Sequence, residues 1–149
     1  MYSVFDIANW FLSKESMTHK KLQKLCYYAQ AWHYALLDEP LFKDRIEAWV
    51  HGPVVPTLYK KYSDYGWQDI PRYKGELQEF SAKTLDVLQT VANTYLEFDG
   101  DQLERITHAE RPWQEVRKDL PPLATCTGEI TLKSMKEFYK ELFKEDQGE

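Results

Sequence analysis

From His19 to about Leu37 the chain is apolar on nearly every side, and this stretch limits the fold more than any other. Leu22, Leu25, Cys26, Ala29, Trp32, His33 and Leu36 recur at helical spacing. Tyr27, Tyr28, Ala31 and Tyr34 cover much of the remaining surface. A helix of this kind has to be enclosed by several neighbours. The expectation is therefore a mainly α fold: a single compact helical domain over residues 1–149, built around a buried central helix, with at most one small β-hairpin. Thr18 is the N-cap candidate, and Glu39 before Pro40 marks the end. His33 is expected to be a core histidine with a hydrogen-bonded ring.

Other helices follow from caps and spacing. Ser3 caps a first helix to about Ser16, with Val4, Ile7, Ala8, Phe11 and Leu12 inward. Ser81 caps another to about Glu97, with Leu85, Leu88, Val91, Ala92 and Tyr95 as its buried stripe. Asp101 and Pro112 open two short helices. Thr131 caps the last, with Leu132, Met135, Phe138, Tyr139, Leu142 and Phe143 on one face. The stretch 45–56 differs from all of these. Ile46, Ala48 and Val50 alternate with Glu47 and Trp49 as in a strand, and Gly52-Pro53 and Pro56 then turn the chain into a helix. Residues 70–73 are placed as the hairpin partner of 45–50, with Pro71 on an edge.

Composition narrows the function classes. With 149 residues, 43% hydrophobic, the chain can bury a core without staples. The net charge of −5 disfavours nucleic acid, and the one basic cluster, His19, Lys20, Lys21 and Lys24, lies at a helix start. No apolar run approaches a membrane span. Two cysteines, Cys26 and Cys126, have no metal-like spacing and form no disulfide framework. A cytoplasmic location is the expectation.

No phosphate-cradling glycine loop, nucleophile elbow or zinc-protease helix occurs. The remaining catalytic candidates are Glu47 and His51 at the corner and His108 and Glu110 in the stretch 107–113. If those stretches meet, two imidazoles and two carboxylates could serve a hydrolase or a metal-dependent enzyme. The alternative is a structural network, with Trp49 and Trp113 mostly buried and both histidines acting through stability. The motif chemistry favours the latter, so no catalytic residue, metal ligand or cofactor is assigned.

Three stretches together point to a family. They are Lys21 to Trp32 (KLQKLCYYAQAW), Glu47 to Pro56 (EAWVHGPVVP) with Tyr59, and Thr107 to Trp113 (THAERPW). In their order and spacing the chain resembles the Panacea antitoxin domain, the SocA-like or phage-associated GepA-like family, over roughly 7–139. The resemblance implies a bacterial or prophage antitoxin without catalytic activity. Such a protein neutralises a cognate toxin by protein–protein contact, with no direct nucleic-acid binding. It also implies that Trp49, His51, Gly52, Pro53, Thr107, His108, Glu110, Pro112 and Trp113 are fold determinants. A non-inhibitory adaptor remains the other binding role, and an acidic surface would suit a basic toxin.

Between 59 and 73 lie Tyr59, Tyr62, Tyr65, Trp67 and Tyr73, interleaved with charged residues. From Tyr65 onward these rings have no period and fall among turn residues. Rigid aromatics in a surface loop are the usual composition of an interface hot spot, so these five are the expected partner-binding residues.

Overall fold

The computed structural model describes residues 1–148. Its centre is α2 (His19–Leu37), opened by the Thr18 hydroxyl accepting from Lys21 N. Every residue from Lys21 to Ala31 is buried. Around α2 pack α1 (Val4–Lys14), α4 (Ala82–Tyr95), α5 (Gly100–His108) and α7 (Leu132–Gln147), with α3 (Pro56–Tyr62) and α6 (Arg111–Arg117) completing the helices. The mainly α expectation holds. Among the described residues no helix is long and apolar enough to cross a membrane.

Two glutamines make α2 more than an apolar post. Gln23 donates from Nε2 to Val55 O and accepts Val55 N–H at Oε1, at 3.1 and 2.8 Å. Gln30, two turns on, makes the same pair with Phe42 O and Leu41 N–H, both at 2.6 Å. Each amide closes a two-bond ladder with the backbone of a neighbouring segment, and supplies the acceptor that the Val55 and Leu41 N–H groups need. His33 is the expected core histidine. Its Nδ1–H donates to Glu39 O at 2.6 Å, which leaves Nε2 to accept from the Thr84 hydroxyl at 2.8 Å.

The sheet differs from expectation. It has three antiparallel strands in the order β2-β1-β3: β1 (Ile46–Trp49), β2 (Gly52–Val54) and β3 (Glu129–Ile130). The chain folds straight back on itself, pairing Trp49 with Gly52, Ala48 with Pro53 and Glu47 with Val54. Ile46 faces Ile130 on the other side. Residues 70–73 are not the hairpin partner. Ile70 bridges Met17 instead, and Tyr73 N–H donates to Leu12 O. Pro53 is tolerated because β2 is an edge strand, where a missing N–H breaks no ladder.

Helix limits shift in small ways. The first helix ends at Lys14, before Ser16, and α4 ends at Tyr95, before Glu97. On α4 the buried set is Thr84, Val87, Leu88, Val91, Ala92 and Tyr95, and Leu85 is 43% exposed. Leu85 lies one residue, about 100°, off that i, i+3, i+4 series. Leu36 and Phe143 are likewise exposed. The cap of α5 is Asp99, in a full capping box with Gln102, and Asp101 lies inside the first turn.

Candidate functional site: the tryptophan corner and its cavity

Gly52 sets the corner geometry. Its φ is +115°, and a Cβ there would lie 2.6 Å from Lys24 Cε and 3.1 Å from the Thr107 hydroxyl oxygen. Only glycine allows both the backbone turn and the close approach. The strand β1 is then held from α6. Trp113 Nε1–H donates to Trp49 O at 2.8 Å. Arg117, buried, donates to Ala48 O at 3.0 Å and to the Pro122 and Ala124 carbonyls at 3.1 and 2.6 Å. His108 stacks on Trp113, with centroids 3.8 Å apart and planes within 11°. Pro112 sits buried in the first turn of α6.

Both tryptophans are mostly buried, as expected, though neither is fully enclosed: Trp49 and Trp113 keep a minor part of their surface in water. Trp49 Nε1–H is taken by Glu47 Oε1 at 2.8 Å.

The two corner stretches do meet, but the four catalytic candidates do not converge. His51 is exposed, with Nδ1 3.2 Å from Glu104 Oε2. It has no buried hydrogen bond, so the expected route through stability is closed to it. His108 Nε2 lies 4.0 Å from the same oxygen, and burial first, with the Lys24 charge, lowers its pKa. Glu104 is partly desolvated, yet Lys20 and His51 hold it below the ordinary carboxylate range. Lys20 also pairs with Asp101. Glu47 is bound to Trp49 and Arg45. Glu110 points into a separate network, where its Oε1 accepts from Tyr28 OH at 2.8 Å and Tyr139 OH at 2.7 Å. Among the described residues no group of three or more His, Cys, Asp or Glu is placed to hold a metal.

Beside the corner lies an open cavity of about 500 Å³ between the start of α2, the β1–β2 turn and residues 59–67. Lys24 and His19 line it, with Trp49, Tyr59 and Trp67 as aromatic walls. The expected partner residues divide on this geometry. Trp67 is 81% exposed, and Tyr59 and Tyr65 are also exposed. Tyr62 is 7% exposed and faces inward from α3, leaving no face for a partner. Tyr73 is half-buried, with its hydroxyl donating to Glu76 O.

Sequence reasoning missed Gln23, Lys24, Gln30, Glu104 and Arg117. The one available signal was Lys24, a cation on a helix otherwise apolar nearly all round. Lys24 is 2% exposed, and burial first, then the Lys20 charge, lowers its pKa to about 7.

A family model described as antitoxin SocA-like, Panacea domain, matches residues 22–114, more than half of the chain. No curated protein and no solved structure matches.

Proposed function

Because the chain belongs to the family of SocA-like antitoxins with the Panacea domain, we propose that it binds a cognate toxin of a bacterial or prophage toxin–antitoxin pair. Binding would neutralise the toxin in the cytoplasm by direct contact, by covering its active surface or trapping an inactive conformation. The observation that carries this reading is the exposed aromatic rim of Tyr59, Tyr65 and Trp67. Large rings left in water at the mouth of a concave surface are the composition of a hot spot. A binding role, in place of catalysis, also accords with the motif residues. Thr107, Glu110 and Trp113 direct their polar groups to internal partners.

The test is co-expression with the product of the neighbouring open reading frame. Restored growth against that product is the expected result, and no rescue overturns the reading. Binding without rescue would make the protein a non-inhibitory adaptor. With the partner in hand, Trp67→Ala and Tyr65→Ala should each weaken binding by about 2 kcal/mol without shifting the melting temperature. Unchanged affinity in both variants would place the contact elsewhere.

A further inference from the structure

We propose that the cavity beside the corner binds a small carboxylic acid with a flat apolar body, its carboxylate on the Lys24 ammonium and its body against Trp49, Tyr59 and Trp67. This site goes beyond toxin binding and does not depend on it.

Donors without acceptors are the first reason. As an ammonium, Lys24 Nζ has three hydrogens, and its single hydrogen bond is a long one, 3.3 Å to Pro53 O. Buried donors left unmet are costly, so the arrangement is suited to a ligand that supplies the acceptor. His19 Nδ1, on the same wall, is also buried without a partner. Gln23 lines the cavity too, but both ends of its amide are taken by Val55.

Charge is the second reason. Lys20 and Lys24 line the cavity with His19 and His51, and no carboxylate does. Asp101 and Glu104 hold Lys20, and Glu104 also takes His51, without being part of the lining. Lys24 is therefore the lining cation left without a carboxylate of its own, and no lining carboxylate opposes an anion there. The third reason is the wall. Trp49, Val50, Val54, Tyr59 and Trp67 offer apolar and aromatic surface, and about 500 Å³ is in the range of small-molecule sites. One buried ammonium among apolar walls fits a monoanion with a hydrophobic body. A phosphate would call for several converging donors or an arginine fork.

Protonation gives the site its own signature. The groups facing Lys24 are Lys20 and His19 on α2, Glu104, Thr107 and His108 on α5, and Gly52 on β2. Burial leaves the Lys24 amine only partly protonated near neutral pH. A bound carboxylate favours the ammonium, so binding must take up part of a proton.

The test is calorimetric titration with indole-3-acetate and its neutral counterpart indole-3-acetamide at about pH 7.5, in two buffers of different ionisation enthalpy. Expected are one site, net proton uptake, and at least about tenfold weaker binding of the amide. Lys24→Met, which keeps the stem and removes the charge, should abolish the preference for the acid and the proton uptake. Trp67→Ala should weaken both probes alike. No heat from either indole-3-acetate or phenylacetate at about 5 mM overturns the proposal, as does equal binding of acid and amide. If Lys24→Met fails to fold, the acid-to-amide ratio and the proton uptake of the unaltered protein decide the matter alone. Tighter binding of phenyl phosphate than of phenylacetate would also overturn the carboxylate assignment. Failure of toxin rescue leaves these outcomes untouched, so the two readings can fail separately.

Discussion

Replacing Glu110 by alanine should cost about 2–4 kcal/mol, whereas replacing it by glutamine should cost under about 1 kcal/mol. Glu110 Oε1 accepts from two tyrosines of different helices, Tyr28 on α2 and Tyr139 on α7. Tyr139 uses its one hydroxyl hydrogen to donate to Glu110, so the 3.0 Å contact with Tyr27 must be a bond that Tyr27 donates. In the alanine variant the Tyr28 hydroxyl loses its acceptor, which costs about 1–3 kcal/mol when buried. Tyr139 loses one bond but keeps Tyr27, a further cost of about 1 kcal/mol. Glutamine keeps an acceptor oxygen for both hydroxyls and has no charge to desolvate. The pH dependence separates these terms. Burial raises the Glu110 pKa despite the two tyrosine bonds. The folded state thus holds this proton to higher pH than the unfolded state, whose carboxyl titrates near about 4.3. The resulting stability is fully present below about 4.3 and is lost as pH rises through the raised folded value. Relative to Glu110→Gln, the unaltered protein should therefore be more stable at about pH 4 than at about pH 7. Urea unfolding of all three proteins at both pH values measures this. An alanine variant within about 1 kcal/mol of the parent, a glutamine variant as costly as alanine, or the opposite pH slope would refute the reasoning.

Gln30→Leu should cost about 2–4 kcal/mol by urea unfolding, because Leu41 N–H and Phe42 O lose their only side-chain partner together. Gly52→Ala should cost at least about 1–3 kcal/mol, since the new Cβ meets a Lys24 stem that is itself buried and has nowhere to swing. Gly66→Ala is different. At φ +59° its Cβ would meet nothing within 4 Å, so only backbone strain opposes it. It should shift the direction of Trp67 and weaken partner binding, with a loss of stability no greater than that of Gly52→Ala, as compared by melting and titration.

Much of the fold was legible because α2 has an unusual surface. A helix apolar nearly all round has one place to go, and its neighbours carried ordinary stripes and caps. What the sequence hid were features set by a partner segment. Gln23 and Gln30 look like ordinary helix glutamines until Val55 and Leu41 are laid beside them. Two-residue β3 has too few positions to show a period. Gly52-Pro53 reads as a break between strand and helix, because proline usually argues against a strand, and only the edge position of β2 makes the return strand possible. At the site, the meeting of the corner with 107–113 stood only as a condition, because two tryptophan motifs far apart in the chain set no distance between them, and the Trp113–Trp49 bond supplies it. The carboxylate that bonds His51 and lies 4.0 Å from His108 was not legible, since Glu104 lies one helical turn before the motif, outside any spacing rule.

That distribution of contacts separates scaffold from contact surface. Trp113, Arg117 and Glu110 direct their polar atoms to backbone carbonyls or buried hydroxyls, so a change at any of them alters the helix and strand positions first. Trp67 makes no hydrogen bond to the scaffold among the described residues and follows a glycine whose surroundings are open. A substitution there changes what the protein touches before it changes how the protein folds. The cost of exposing rings such as Trp67 to water is offset only when a partner covers them.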